Sequence, residues 1–238
     1  MRPHHLPAQE LTRARLPMQV LAGGALVVIV DDDDAVRDSL SELLLSAGFE
    51  VLGFASTSAL LAADVLERPG CLVLDVRMPG ASGLDLQRQL TRNGNPKPII
   101  FLTGHGDIPM TVEAMKAGAI DFLTKPVRDQ TLLDAVSAGL ALDAERRARQ
   151  AIVRRNIERL ETLTRREREV LCEVARGQMN KQIAFALGIS EVTVKLHRGN
   201  AMRKMEASSI GALIRAWESL PASLRDAKTG SSLDVSAL

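Results

Sequence analysis

The chain has 238 residues, of which 46% are hydrophobic and 25% charged, which excludes a disordered or low-complexity protein. This length predicts two modest domains rather than one large domain. The net charge of +1 hides an asymmetry, because residues 26–140 hold 9 basic and 16 acidic residues whereas residues 141–238 hold 18 basic and 12 acidic residues. The acidic half is therefore expected to bind cations and the basic half polyanions.

The N-terminal region is not expected to hold a membrane anchor or a cleaved leader. Residues 1–24 are predicted to be a disordered extension, and Met18 is an alternative start. The apolar run Leu21–Val30 is about half the length of a membrane span and ends in four aspartates rather than a small-residue cleavage site. Cys71 and Cys172 each lie alone in an apolar segment, as core residues of a reducing compartment do. We therefore predict a cytoplasmic protein without membrane contact.

Residues 25–140 alternate short apolar runs with segments of helical periodicity, which predicts a (βα)5 domain. The predicted strands are ALVVIV (25–30), EVLGF (50–54), CLVLD (71–75), PIIFLT (98–103) and AIDFLT (119–124). Continuous rather than alternating hydrophobicity predicts an α/β fold with a doubly wound parallel sheet that is covered on both faces. Such sheets bind ligands beyond the carboxyl ends of their strands.

Polar residues follow four of these strands. Asp31, Asp75, Thr103 and Lys125 stand at or just beyond the ends of the first, third, fourth and fifth strands, so we expect them to converge on one edge. Asp31 or Asp32 together with Asp75 supplies the oxygen ligands that Mg²⁺ prefers. A carboxylate can also attack phosphorus, and Asp75 is the best candidate nucleophile because it sits centrally.

The segment after this domain is predicted to be a helix that continues as a helical linker over residues 141–162. It contains no glycine or proline and is rich in Ala, Leu, Glu and Arg. Apolar positions recur along it, but charged residues interrupt a strict heptad. A dimerising coiled coil and a plain spacer are both compatible with this pattern.

Residues 163–222 are predicted to form a small all-α domain, followed by a flexible tail over residues 223–238. Thr164 has the spacing of an N-terminal capping box. A short helix, a turn at Gly188 and a longer helix from Ser190 then follow, which is the pattern of a helix-turn-helix.

The longer helix has two predicted faces. Val194, Ala201 and Met205 share one face and are predicted to pack into the core. Lys195 and Leu196 lie on another face, where Lys195 can donate to guanine and Leu196 can contact a thymine methyl group in the major groove. This predicts a helix that binds double-stranded DNA.

The motifs IVDDDDAVR, LVLDVRMPG, FLTGHGD and DFLTKP, in this order and spacing, closely resemble the receiver domain of two-component response regulators. The stretch LTRREREVLCEVARGQMNKQIAFALGISEVTVKLHRGNAMRKM resembles the LuxR-type helix-turn-helix DNA-binding domain. The pairing resembles the FixJ branch of the FixJ/NarL family. The two resemblances cover about residues 25–130 and 160–220, and they imply a flavodoxin-like receiver.

The resemblance implies roles for four residues around the predicted metal. Asp75 would be the phospho-acceptor, Asp32 would bind Mg²⁺ directly, Asp31 would assist, and the backbone carbonyl of Arg77 would add a ligand. Asp33 and Asp34 would then lie in the loop and at the helix N-terminus, where negative charge is favourable.

The resemblance also implies a set of phosphoryl-binding and switch residues. Thr103 would bond the phosphoryl oxygens, and Lys125 would pair with them, ahead of a cis Pro126. Phe122 would move between exposed and buried positions. In the second domain, Thr193, His197, Arg198 and Lys204 would contact DNA phosphates, whereas Gly199 departs from relatives that place a base-reading lysine there.

These features together predict a transcription factor that is controlled by phosphorylation, and not an enzyme. A partner histidine kinase would phosphorylate Asp75, and the face from Val112 to Phe122 would then favour a homodimer that binds a two-half-site DNA operator.

Two other functions remain as alternatives at this point. A Mg²⁺-dependent phosphatase of the haloacid dehalogenase type would use a nucleophile directly after the first strand, and Asp32, Asp34 and Val36 fit its motif loosely. An RNA-binding output domain is less compatible, because readers of single-stranded RNA depend on exposed aromatic residues and the basic half has just Phe185 and Trp217.

Overall fold

A computed structural model describes residues 24–104 and 108–226. Apart from Gly24, the predicted N-terminal extension lies outside the described residues, as does the predicted tail from residue 227 onward. The chain divides into two compact units, Met1–Arg146 and Arg147–Leu238. Each unit is described by itself.

The first unit is a five-stranded parallel sheet with intervening helices. Its elements are β1 (Leu26–Val30), α1 (Asp34–Ser46), β2 (Glu50–Phe54), α2 (Thr57–Ala62), β3 (Gly70–Leu74), α3 (Gly83–Arg92), β4 (Ile99–Thr103), α4 (Ile108–Lys116), β5 (Asp121–Thr124) and the start of α5 (Asp129–Glu161). The strand order is β2-β1-β3-β4-β5 and all pairs are parallel. The predicted doubly wound (βα)5 fold is therefore confirmed. The strand order reverses between β1 and β3, which places a ligand-binding crevice at their carboxyl ends.

Both faces of the sheet are covered, because successive strand residues point to opposite sides. Val28, Leu72 and Phe101 belong to the core on one face. Val27 and Val73 belong to the core on the other face. Every residue of β1, β3 and β4 is buried, as the continuous hydrophobic runs predict.

The second strand departs from this expectation. Glu50, Leu52 and Gly53 of β2 are exposed, and the remaining two residues are half-buried. The reason is that β2 pairs with β1 alone and forms an edge of the sheet. Its apolar run resembles that of the central strands, although Val51 and Phe54 alone pack against the cores, on opposite faces of the sheet.

The predicted linker, residues 141–162, is helical up to Glu161 as part of α5, but its two ends pack into the units. The Asp143 carboxylate is buried and accepts a hydrogen bond of 2.8 Å from the backbone amide of Gly70. In the second unit, the buried Asn156 donates a hydrogen bond of 2.9 Å to Ser219. The exposed spacer is therefore shorter than residues 141–162, because packing extends the domains into it.

The second unit contains α6 (Arg165–Ala175), α7 (Asn180–Leu187), α8 (Glu191–Lys204), α9 (Ile210–Glu218) and α10 (Ala222–Asp226). Thr164 caps α6 through a capping box, and Gly188 ends α7 in the left-handed conformation that glycine adopts without steric cost. Ser190 caps α8. The start of the predicted flexible tail is instead helical, since α10 extends to Asp226 and Leu224 packs against the core.

The two cysteines form no disulfide. Cys71 is fully buried in β3, and burial raises the pKa of its thiol to about 12, so it behaves as a small core residue. Cys172 is half-buried on α6. Among residues 24–104 and 108–226, the helices are too short or too polar to span a bilayer.

Candidate functional site

Four strand ends bring the predicted polar residues together at one edge of the sheet. Asp31 follows β1 directly, because β1 ends at Val30, and Asp75 follows β3. The register aligns the ends of these two strands, and the Asp75 amide donates to the Val30 carbonyl at 2.8 Å. Thr103 is the last residue of β4, and its carbonyl accepts a hydrogen bond of 2.8 Å from the amide of Lys125.

Lys125 joins two of these acids. Its ammonium donates to Asp31 Oδ2 at 2.6 Å and to Asp75 Oδ2 at 2.7 Å. Asp31 is 2% exposed and Asp75 is 9% exposed, so both carboxylates depend on partners inside the protein rather than on water. The other Asp75 oxygen, Oδ1, accepts a hydrogen bond of 3.0 Å from the backbone amide of Arg77.

One ammonium does not fully compensate the acids. Burial raises the pKa of Asp31, and the hydrogen bonds from Lys125 and from the Asp33 amide offset this only in part. The pKa of Lys125 is also raised: burial, the largest single influence, lowers it, but the hydrogen bonds and charges of Asp31 and Asp75 together outweigh burial. The edge thus has more negative than positive charge.

A third carboxylate completes the acidic cluster. Asp31, Asp32 and Asp75 each place one oxygen within 4.8 Å of the others, and Asp32 is exposed. A hard divalent cation takes oxygen ligands and keeps several waters. The exposed Asp32 leaves one side of the cluster open for those waters, and the residues therefore fit Mg²⁺.

The other two aspartates of the four have separate contacts. Asp33 caps α1 by accepting from the amides of Ala35 and Val36, as its predicted place at the helix start suggests. Asp34 begins α1 and forms an ion pair with Arg37.

Arg37 is a residue that the sequence reasoning missed. Its Nη1 donates to the backbone carbonyl of Asp31 at 2.7 Å, and its side chain also contacts Asp34. It therefore ties α1 to the loop that carries the acids. Its sequence signal is that it is the single cation of α1, three residues after a run of four acids.

The other residues to which the resemblance assigns roles have the following environments. Thr103 is 1% exposed, whereas Arg77 is exposed and contacts Asp75 through its backbone amide. Phe122 is half-buried on β5, with its ring centroid 6.0 Å from that of Phe101 on β4. The Lys125–Pro126 peptide bond is cis, as the resemblance implies.

Helix α8 has the two faces that the sequence predicts. Val194, Ala201 and Met205 are each at most 1% exposed and belong to the core of the second unit. Lys195 and Leu196 are exposed on another face. The side chains with predicted base contacts are thus available to a ligand.

The side chains that are predicted to contact DNA phosphates differ in their exposure and in their partners. Thr193 is half-buried near the start of α8, with its hydroxyl 2.8 Å from that of Ser190. His197 is half-buried, and its Nδ1 has no hydrogen-bond partner among the described residues. Arg198 donates to Asn180 Oδ1 at 2.9 Å, which links α8 to α7.

Lys204 has its principal contacts inside the domain. Its ammonium donates to Glu167 Oε2 at 2.6 Å and to the Thr162 carbonyl at 3.1 Å. Glu167 is 4% exposed, so Lys204 neutralises a buried charge at the base of α6. Lys204 therefore has partners inside the domain, and its predicted contact with a DNA phosphate stays a prediction.

Glu167 should make the stability of the second unit depend on pH. Its pKa lies below its ordinary value of 4.5: burial, the largest single influence, raises it, but hydrogen bonds from Lys204 and Thr164 outweigh burial. The ionised form is favoured in the folded state, so its stabilisation is present above pH 4.5 and is lost as the pH falls further. Urea titrations followed by the fluorescence of Trp217, the single tryptophan, should show this decline.

The matched comparison for this prediction uses two variants. Glu167→Gln should flatten the acid dependence of the unfolding free energy, because it removes the titrating group. Glu218→Gln alters an exposed glutamate on α9 and should leave the dependence intact. Equal acid profiles for wild type and Glu167→Gln would contradict the prediction.

Comparisons with known proteins agree with this geometry. The receiver family described as "Response regulator receiver domain" matches residues 27–137, and the family described as "Bacterial regulatory proteins, luxR family" matches residues 161–217. Nodulation protein W of Bradyrhizobium diazoefficiens is 52% identical over 196 residues, which cover 82% of this chain and 86% of that protein. The chain belongs to the response regulator family. This response regulator is also 51% identical to the response regulator protein TodT of Pseudomonas putida, over 84% of this chain and 88% of TodT.

Solved structures lead to the same family. The response regulator StyR is 52% identical and superimposes with a TM-score of 0.73, covering 82% of this chain and 98% of StyR. Full-length FixJ from B. japonicum is 39% identical with a TM-score of 0.51, covering 82% of this chain and 96% of FixJ. A receiver domain followed by a LuxR-type domain makes this response regulator a DNA-binding transcriptional regulator of a two-component system. The haloacid dehalogenase alternative receives no support from these matches.

Proposed function

We propose that Asp75 is the phospho-acceptor of this response regulator and that its phosphorylation by a histidine kinase controls DNA binding. The observation that carries this proposal is the position of Asp75, a buried acid whose carboxylate contacts both the Lys125 ammonium and the Arg77 amide. These donors are already in place where phosphoryl oxygens would gather, so little reorganisation is required during transfer.

The chemistry is a phosphoryl transfer between two side chains. An Asp75 carboxylate oxygen forms a bond to phosphorus while the bond from phosphorus to the donor's imidazole nitrogen breaks, and that nitrogen takes up a proton. Lys125 moves its charge from the carboxylate to the added phosphoryl group. Thr103, at the end of β4, supplies a hydroxyl for a phosphoryl oxygen.

Asp31, Asp32 and Asp75 would hold Mg²⁺, together with the backbone carbonyl of Arg77. The support is the clustering of three carboxylates, two of which share the Lys125 ammonium, and the raised pKa of the buried Asp31. When bound, Mg²⁺ supplies positive charge that neutralises the transferring phosphoryl group. Arg37 keeps the Asp31 backbone in place for this site by bonding its carbonyl.

Phosphorylation would then act on the α4 and β5 face. Phe122 would repack as Thr103 is drawn to the phosphoryl group. Three apolar side chains are exposed along α4 at a helical spacing, namely Ile108, Val112 and Met115. We infer that this face forms the homodimer of the active state. Converting a mostly inactive population into a mostly active one requires a difference of about 5.5 kcal/mol between the states.

The output is binding of double-stranded DNA by α8. Lys195 and Leu196 would contact base edges. The side chains that would contact the phosphates are Thr193, His197 and Arg198. Lys204, at the far end of the helix, would contribute its charge. The exposure of Lys195 and Leu196 on the second helix of a helix-turn-helix supports this assignment. A dimer would favour an operator with two half-sites.

Replacing Asp75 with asparagine should abolish covalent phosphorylation, because the amide is a far weaker nucleophile than the carboxylate. Intact-mass spectrometry after incubation with Mg²⁺ and acetyl phosphate should show one phosphoryl group on the wild type and none on Asp75→Asn. Asp129→Asn alters an exposed aspartate at the start of α5 and should be phosphorylated as the wild type is. Retained phosphorylation of Asp75→Asn would refute the assignment of the acceptor.

The link to DNA requires a second measurement. The full chain, with and without beryllofluoride as a phosphoryl analogue, would select duplexes from a randomised DNA pool. We expect the analogue to increase affinity and to enrich sequences with two half-sites, with binding that weakens as salt concentration rises. Identical affinities and sequence profiles in the two states would refute the switch.

A further inference from the structure

Helix α8 carries an exposed stripe that the core does not use. The stripe consists of Val192, Lys195, Leu196 and Gly199, which follow the i, i+3, i+4, i+7 spacing of one helix face. Val192 is 76% exposed and Leu196 is 61% exposed, and Lys195 and Gly199 are exposed as well. Folding of the second unit therefore does not explain why two of these four residues are large aliphatic side chains.

Charge limits what can cover the stripe. Lys195 lies between Val192 and Leu196 on the same face, so an apolar protein surface would have to bury an ammonium without a partner, which is costly. The major groove of DNA meets both demands, because it offers acceptors on guanine to Lys195 and a methyl group on each thymine to an aliphatic side chain. Val192, Lys195 and Leu196 also lie in the first half of the helix, which is the part that reaches base edges in helix-turn-helix domains.

We propose that Val192 is a specificity-determining residue that, together with Leu196, contacts the 5-methyl groups of two thymines in the operator. This inference rests on the proposed DNA binding by α8 and adds the base that each aliphatic residue selects. Residues four apart on a helix have Cβ atoms about 5–6 Å apart, and stacked bases on one strand are about 3.4 Å apart. The two thymines therefore lie one or two base steps from each other.

Gly199 is the last residue of the stripe and has no side chain that could contact a base. Apart from the backbone of its own helix, a Cβ atom added at Gly199 would meet no atom of the described residues within 4 Å, so there is space for a side chain that glycine does not have. Sequence selection along the stripe then rests on Val192 and Leu196 for thymine and on Lys195 for guanine. We expect weak base preference opposite Gly199.

The test removes single methyl groups from DNA. The beryllofluoride-loaded full chain first selects its preferred duplex from a randomised pool, and each thymine of that duplex is then replaced by deoxyuridine, which lacks the 5-methyl group alone. Because burying one methyl group contributes about 0.8 kcal/mol, the wild type should lose affinity about fourfold at each of two positions. Val192→Ala should lose its sensitivity at one of these positions and keep it at the other.

Two further variants serve as controls. Val192→Thr keeps the side-chain shape and one methyl group but replaces the other methyl group with a hydroxyl, and it should reduce the sensitivity to deoxyuridine at the same thymine without abolishing it. Ile152→Ala removes an aliphatic side chain that is 55% exposed on α5, outside the stripe, and it should retain the wild-type response at both positions.

The possible outcomes distinguish a failure of this inference from a failure of the proposed DNA binding. If Val192→Ala keeps the wild-type sensitivity to deoxyuridine at every position, Val192 does not read a methyl group and the inference is wrong while DNA binding stands. If the wild type selects no duplex and shows no salt-dependent binding, the proposed function itself fails. Loss of sensitivity at a single thymine in Val192→Ala, with Ile152→Ala unchanged, supports the inference.

Discussion

Replacing Lys125 with methionine is expected to lower the free energy of unfolding of the first unit by about 3 kcal/mol in the absence of divalent cations. Lys125 is the ammonium shared by Asp31 and Asp75, and its side chain is 20% exposed. Without it, two carboxylates that are at most a tenth exposed would face each other with no cation between them. Hydrogen exchange of the β1 and β3 amides, measured by mass spectrometry, would report the loss in the strands that carry these acids.

A matched variant and a cation addition sharpen this expectation. Lys116→Met makes the same change at an exposed position of α4 and should alter stability by less than about 0.5 kcal/mol. Adding Mg²⁺ should stabilise Lys125→Met more than it stabilises the wild type, since the cation would neutralise carboxylates that no longer have an ammonium. If Lys125→Met and Lys116→Met were equally stable, the acids would not depend on Lys125.

Replacing Gly70 with alanine should destabilise the first unit by about 3 kcal/mol or more, since both backbone strain and steric overlap contribute. Gly70 opens β3 with a φ of +144°, which other residues rarely adopt, and an added Cβ would stand 1.8 Å from the Leu26 carbonyl oxygen of β1. Separating β1 from β3 at this point would also disturb the strands that carry Asp31 and Asp75. Loss of protection in β1 and β3 amides is the measurement.

Gly94 provides the control for this substitution. Its φ is +68°, but an added Cβ would meet no atom within 4 Å, so Gly94→Ala introduces backbone strain without overlap. We expect it to cost about 1 kcal/mol. Equal effects at Gly70 and Gly94 would mean that backbone conformation, and not the approach of β1, determines the loss.

The sequence alone was sufficient to predict which residues meet at the acidic edge of the receiver domain. Parallel strands end on a common side, so residues that follow separate hydrophobic runs must meet there. Asp31, Asp75, Thr103 and Lys125 are far apart in the chain, and this single rule is enough to bring them together. Helical periodicity likewise predicts that Val194 is buried and Leu196 is exposed on α8, because residues two positions apart on a helix lie on different faces.

Other features depend on information that local patterns do not contain. The run EVLGF of β2 has the composition of a central strand, and the pairing order alone makes it an edge. The contact between Lys204 and Glu167 joins residues 37 positions apart, and that between Asp143 and Gly70 joins residues 73 positions apart. Counting charged residues in the sequence cannot distinguish a cation that pairs with an internal acid, as Lys204 does, from a cation that is available to bind a ligand.

The contact between Asp143 and Gly70 has a practical consequence for anyone who cuts the receiver domain out of this chain. A fragment that ends at residue 140 keeps every strand, yet it loses the carboxylate that satisfies the buried Gly70 amide and the Arg146 guanidinium that bonds the Pro96 carbonyl at 2.6 Å. A buried amide without a partner costs about 1–3 kcal/mol. Such a fragment would be weakened at the start of β3, so phosphorylation kinetics are better measured on a fragment that extends beyond Arg146.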